Sequence, residues 1–295
     1  MNRFLYYLRR VPRIPHRLYW EIRVHIPLIL SVVWLWWINR YGRTPITQSG
    51  GPVVSLTTYG TRIHTVYLSI ESIARGNVLP SRMILWIDDK AVFGNLPAAI
   101  RRLMQRGLEV SFCKNYGPHK KYYPYLESLR ELEAPLVTAD DDLLYPRSWL
   151  KRLVEAFQQF PDVVNCYRAR VMVLNQDGIA KYECWDLADS TKPRFCHFAG
   201  NGAGAIYPLP LQRALKQEAT AFANCCPKAD DIWLHVQALR AGYKVRQILK
   251  KQFSLVEIPG TQGIALHHHN LARGGNDQQI KATYTAKDIQ KLLAR

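Results

Sequence analysis

Short apolar runs at residues 53–56, 83–87, 108–112 and 136–139 constrain this chain most, because a helix-patterned segment separates each from the next. The segment 65–74 has helical spacing closed by Gly76, and 97–106 opens with Pro97 and stops before Gly107, as a helix does at its first turn and its C-terminal cap. Residues 121–132 read as the third such helix, and 147–160 as an amphipathic one ended by Pro161. Strands alternating with helices at this spacing predict an α/β fold with a mixed, mostly parallel sheet and helices on both faces. The regularity fades after Asn165 into short strands, glycines and loops, and a helix returns over 232–241.

At 295 residues and 48% hydrophobic composition, the chain has enough apolar surface for one catalytic-size domain with a short extra segment. Its formal net charge of +17 calls for an anionic partner: nucleic acid, a membrane surface or a phosphorylated substrate. Nucleic acid is excluded as the expectation, since no zinc-finger spacing, RNP aromatic motif or basic region with heptads occurs. Cys113, Cys166, Cys184, Cys196, Cys225 and Cys226 form no CxxC pair, so they read as reduced thiols rather than a zinc or disulfide framework.

Part of the charge excess is local. Arg3, Arg9, Arg10, Arg13, Arg17 and Arg23 precede an uncharged run at 27–38 that carries Trp34, Trp36 and Trp37. That run is short for spanning, since a helix rising about 1.5 Å per residue needs ~20 apolar residues to cross the hydrocarbon core. Tryptophans and the lack of a small-residue cleavage site also fit a signal peptide poorly. Residues 1–43 are therefore expected to lie on an anionic membrane surface, peripheral or monotopic, ahead of a packed helix or a true span. The turn-rich stretch 44–52 reads as a linker, and 53–295 as the catalytic domain.

The strongest chemical signal is LVTADDDLLYP, an apolar strand delivering three carboxylates to its end. Strand alternation would send Asp140 and Asp142 to one side and Asp141 to the other, so that the outer two converge on one divalent cation gripping a diphosphate. A solvated acidic turn is the bland alternative. Lys120 and Lys121, in the turn GPHKKYYP, offer ammonium groups to such a diphosphate, while His119 reads as incidental. Gly202 and Gly204 in GNGAGAIYP allow close backbone approach or a tight turn. Asp230 and Asp231 precede a helix, one as its cap and the other facing the cleft. Clustered aspartates also serve two-metal phosphoesterases and nucleases, with Asp88, Asp186 and Asp231 as further ligands, and a non-catalytic membrane-bound assembly subunit is a rival from another class.

Taken in order, VVSLTTYGTRI, MILWIDD, GPHKKYYPYL, TADDDLLYP, GNGAGAIYP and KADDIWL resemble the bacterial GT-A-fold glycosyltransferases of surface polysaccharide (capsule or lipopolysaccharide) biosynthesis, over 53–277. The resemblance implies a nucleoside pocket lined by Ser55, Thr57, Tyr59 and Arg62 and bordered by Asp88 or Asp89. It implies Mn2+ or Mg2+ and the donor held at Asp140, Asp141 and Asp142, with Asp140 and Asp142 on the metal. Gly202 and Gly204 would lie beneath the donor sugar and acceptor. Asp231, or else Asp230, would deprotonate the acceptor. His267 or His269 of the triplet 267–269 would complete the metal shell, and Asn276-Asp277 would belong to a closing tail. The donor would be a nucleotide-diphosphate sugar, the acceptor a glycan or lipid-linked glycan, and the location the cytoplasmic face of the bacterial inner membrane.

Overall fold

The computed structural model describes residues 16–176, 178–251, 254–261 and 274–293. The apolar runs become strands, and the segments between them pack across the sheet. In chain order the elements are α1 (His16–Tyr41), β1 (Val53–Thr57), α2 (Val66–Ala74), β2 (Arg82–Ile87), α3 (Ala98–Met104), β3 (Leu108–Phe112), α4 (Tyr123–Ser128), β4 (Leu136–Thr138), α5 (Trp149–Gln159), β5 (Val163–Cys166), β6 (Ala205–Tyr207), α6 (Leu209–Gln217), α7 (Asp230–Arg240), β7 (Lys244–Gln247), α8 (Gly275–Thr283) and α9 (Ala286–Leu293).

One sheet of order β7-β5-β6-β4-β1-β2-β3 organises the molecule. All its pairings are parallel except those of β6, which runs against both β4 and β5. One face is covered by α2, α3 and α5, which bury Ile70, Ile73, Leu103, Trp149 and Leu153 against Val54, Leu56, Leu85 and Val137. The other face carries α4, α6 and α7, with Tyr125, Leu126, Leu211, Leu234 and Val236 packed on Val53, Ile84 and Val164. A buried parallel strand needs apolar side chains on both faces, which is why these runs are continuous rather than alternating.

One expectation is corrected. The helix at 121–132 is only Tyr123–Ser128, preceded by a 3₁₀ turn Gly117–Lys121. Pro124 lacks the N–H that a continuous helix would need there, and Leu129 is already extended. The stretch 44–52, expected as a linker, packs on the domain: Ile46 is fully buried and its N–H donates to the Arg106 carbonyl, while Gln48 N–H donates to the Pro80 carbonyl.

The C-terminal part of α1 docks on α2 and α3. Leu35 packs with Leu68, Leu144 and Ile258, and the buried Asn39 donates its amide to Glu71 and to the Ala99 carbonyl. No helix among the described residues is long and apolar enough to cross a membrane.

Candidate functional site

In a parallel α/β sheet the loops that leave the carboxyl ends of the strands share one rim, so side chains remote in sequence meet there. Thr58 follows β1, Asp88 follows β2, and the triplet Asp140–Asp142 follows β4. Because β6 is reversed, the turn that enters it, Gly200–Gly204, reaches the same rim, and Ala205 pairs with Thr138.

Each carboxylate of the triplet is paired, and two of them share one arginine. Asp141 is buried, accepts a hydrogen bond from Thr58 Oγ1 at 2.7 Å, and pairs with Arg62 at 2.9 Å. The same guanidinium reaches Asp142 at 3.0 Å and donates to the Thr261 carbonyl. Asp140 pairs with Lys121, whose ammonium is also 4.0 Å from Asp230. Lys120, itself buried, pairs with Asp88 at 2.6 Å. The expected alternation of Asp140 and Asp142 against Asp141 therefore does not describe the site, because β4 ends at Thr138 and the triplet lies in the following turn. A single arginine brackets Asp141 and Asp142 together.

Electrostatics follow from this crowding. Burial, and then the charge of Asp140, push the Asp142 carboxyl up to about 6 against the opposing pull of Arg62. Burial also raises Asp141, with Arg62 and Thr58 opposing it. Burial disfavours the charge on Lys121, but Asp140, Asp230 and Asp231 outweigh it and hold the ammonium well above its ordinary range. Among the described residues, Asp88, Asp140, Asp141, Asp142 and Asp230 pair with Arg62, Lys120 and Lys121, so acids outnumber cations in these pairs.

The backbone around the triplet is braced by side chains that the motif reading passed over. The buried Tyr145 hydroxyl accepts the Asp140 N–H at 2.7 Å and donates to the Gly202 carbonyl at 3.1 Å. Gly202 is glycine because a Cβ there would overlap Asp140 Oδ2. Gly204 has φ +106 and would press a Cβ to 2.6 Å from Trp149 Nε1, which donates to the Ala203 carbonyl. Thr58 stands between Thr57 and Tyr59, and Tyr145 lies near the end of the motif LVTADDDLLYP, so proximity in sequence was the available signal.

The remaining expected residues divide clearly. Ser55 is fully buried and accepts from Trp86 Nε1 at 3.0 Å, so it braces the sheet. Thr57 donates to the Trp86 carbonyl, and Tyr59 is exposed at the rim with Lys120 over its ring at 6.0 Å. Asp89 caps the short helix Lys90–Gly94, accepting from the N–H groups of Ala91 and Val92, a structural duty apart from the triplet. His119 is buried in the core, stacked on Phe222 at 3.9 Å between the Tyr122 hydroxyl and the Cys226 carbonyl.

Asp230 and Asp231 occupy the first turn of α7, with Ala229 rather than either of them as the cap residue. Asp230 is buried and turned to Lys121, its Oδ2 accepting no hydrogen bond among the described residues, whereas Asp231 is half-buried beside Ala199, Tyr207 and Leu234. His267 and His269 lie outside the described residues. Asp277 accepts the Tyr182 N–H at 2.8 Å, which ties α8 to the irregular half.

No family model matches this chain, and no curated protein does. Solved structures do resemble it. The mannosyltransferase PcManGT from Pyrobaculum calidifontis, determined with GDP-Man and Mn2+, is 14% identical with a TM-score of 0.52, over 93% of this chain and 79% of that one. An inositol-1-phosphate CTP transferase from T. maritima is 10% identical over 81% of this chain and all of that one, with a TM-score of 0.45. S. aureus TarS is 14% identical over 67% and 58% of the respective chains, with a TM-score of 0.42. The first likeness establishes the fold, a GT-A, Rossmann-like α/β domain, and the structural neighbours are glycosyltransferases and nucleotidyltransferases.

Proposed function

We propose that this chain is a glycosyltransferase that uses Mn2+ or Mg2+ to take a sugar from a nucleotide-diphosphate donor and place it on a hydroxyl of a glycan or lipid-linked glycan. The observation that carries this reading is the convergence of carboxylates at the carboxyl rim of the sheet, centred on Asp140–Asp142, where among the described residues they outnumber the cations that pair with them. Among the described residues no group of three or more His, Cys, Asp or Glu side chains is arranged to hold a metal alone. The donor chemistry nevertheless suits a hard cation, which takes one or two carboxylates and completes its shell with phosphate oxygens and water. Asp140 and Asp142 would hold it, and when bound it would neutralise the charge of the departing nucleoside diphosphate.

The chain's own groups supply the rest. Arg62 and Thr58 fix Asp141, and the Tyr145 hydroxyl fixes the peptide of Asp140, so the rim is preorganised. Lys121 keeps Asp140 and Asp230 from repelling each other. Asp231, the less buried of the α7 pair, is assigned the proton of the acceptor hydroxyl. As that oxygen bonds to the anomeric carbon, the bond from the carbon to the diphosphate oxygen breaks and its electron pair leaves with the diphosphate. The ordered motifs from 53 to 277 support an acceptor belonging to a bacterial surface polysaccharide handled at the cytoplasmic membrane face.

A thermal-shift screen of nucleotide sugars with and without Mn2+ tests this. A donor at 100 times its Kd adds about 2.7 kcal/mol to the folded state. The expected result is stabilisation by one nucleotide sugar that needs the cation and is lost in Asp140→Ala/Asp142→Ala, followed by transfer assays with that donor. Stabilisation by none of them, or cation-dependent hydrolysis of phosphodiesters without sugar transfer, would overturn the assignment.

A further inference from the structure

A second polar cluster sits away from the rim. Arg75 follows α2 and Arg106 stands two residues before the start of β3, so both lie at the amino edge of the sheet, opposite the aspartates. There α1 and the domain enclose a cavity of about 300 Å³, lined by Trp37, Tyr41, Arg43, Glu71, Arg75 and Arg106 among others. Its sole acid among those lining residues, Glu71, is already taken by Arg106 at 2.6 Å and by Asn39 at 3.0 Å. Arg75 Nε is buried with no hydrogen-bond partner among the described residues. Burial first, and Arg147 second, hold the Arg75 guanidinium below its ordinary pKa, the environment of a cation that lacks an anion.

The helix forming one wall of this cavity is apolar on its outer side as well. Its inner stripe, Leu28, Val32, Leu35 and Asn39, packs on the domain. Ile26, Ile29, Leu30, Val33, Trp34, Trp36, Trp37 and Tyr41 remain about half exposed, and between Arg23 and Arg40 there is no charged residue. Contiguous exposed apolar surface of this kind marks an interaction site, and tryptophan and tyrosine favour the headgroup level of a bilayer. Trp34 and Trp37 stack at 5.5 Å, and Trp37 meets Tyr41 at a tilt at 5.6 Å, leading along the helix to the cavity mouth.

We propose that the outer face of α1 lies in the headgroup layer of an anionic membrane and that the adjoining Arg43–Arg75–Arg106 cavity receives the phosphate of a lipid headgroup. The apolar face gives the depth, and the cavity gives preference for anionic lipid. A helix lying in the interface needs no spanning length, which agrees with the absence of a membrane-crossing helix among the described residues.

The test is co-sedimentation of the full chain with phosphatidylcholine vesicles and with vesicles containing phosphatidylglycerol. We expect tighter binding to the anionic vesicles. Arg43→Gln and Arg75→Gln should each reduce that binding by roughly fivefold and leave the weak binding to neutral vesicles alone. Trp34→Ser/Trp37→Ser should reduce both. Arg106 is left intact because it holds Glu71. Equal binding to both vesicle types, or arginine variants indistinguishable from wild type, would overturn the proposal. So would stabilisation by soluble glycerol phosphate in a chain that ignores vesicles, which would make the cavity a site for a free phosphate. Nucleotide-sugar stabilisation measured on the same variants keeps this outcome separate from the fate of the transferase reading, because Arg43 and Arg75 take no part at the rim.

Discussion

At the carboxyl edge of the sheet acids outnumber cations, and under α1 cations outnumber acids. The rim sets Asp88, Asp140, Asp141, Asp142 and Asp230 against Arg62, Lys120 and Lys121. The cavity sets Arg43, Arg75 and Arg106 against Glu71. A buried cluster held only for architecture tends toward balance, because each unmatched charge costs solvation that nothing returns. Among the described residues, the sign of each remainder is the one that the proposed ligands would offset: a cation at the rim, a lipid phosphate at the cavity.

The largest expected effect breaks the rim. Asp140→Ala/Asp142→Ala should lower sugar transfer by about 10³-fold or more, the scale lost with transition-state charge stabilisation, and should leave thermal stability unchanged or higher because repulsion is relieved. A double variant that unfolds would show that the acids are architectural.

Glu71→Ala attacks the matched part of the cavity. It leaves Arg106 buried without its carboxylate and should destabilise the fold by about 3–5 kcal/mol in denaturant titrations, with donor affinity at the rim unaltered in whatever folds.

A third measurement checks the charge count itself. His119 lies beside the rim, but burial lowers it to about 4, and His235, between the Tyr284 hydroxyl and the Phe195 carbonyl, is lowered likewise to about 4. Both are therefore neutral at pH 7 and add no cation. A histidine depressed in the folded state is protonated first in the unfolded chain, so its stabilising contribution is complete above about pH 6.5 and is lost as pH falls toward 4. Each should contribute about 2 kcal/mol of destabilisation at pH 5 relative to pH 7.5, and His119→Gln should remove its share of that slope in urea melts. A stability flat from pH 7.5 to 5 would mean that these groups titrate as in solvent.

The smallest effect is a control. Arg82 and Glu109 form a matched, part-exposed pair across β2 and β3. A double-mutant cycle should return under about 1 kcal/mol, weakened by salt.

The sequence made the sheet legible, because buried parallel strands must be continuously apolar and their spacing left room for one helix each. It also made the triplet legible, since carboxylates at the end of such a strand have few structural uses. The internal pairing was hidden. Nothing local in TADDD tells that Arg62, which lies 79 residues before Asp141, brackets two of its acids, or that Lys121 pairs with Asp140. The glycines of GNGAGAIYP announced close approach without naming the approaching group, and Asp140 Oδ2 and the Trp149 ring are supplied by other elements. Glu71 sits in an ordinary amphipathic helix and Arg75 caps its end, and only the docking of α1 turns them into a cavity.

The reversed direction of β6 limits how this domain can diverge. Parallel strands deliver their chain to the rim after leaving the sheet, so an insertion behind β1 or β2 lengthens a loop and disturbs no pairing. Residues 200–204 are reached before β6 is threaded between β4 and β5, and one added residue there would slip Ala205–Tyr207 against two neighbours at once, turning Ile206 out of its layer. Tolerance of length change is therefore unequal around the rim, and shuffled or lengthened variants should be recovered from the segments following β1 and β2 and not from this one.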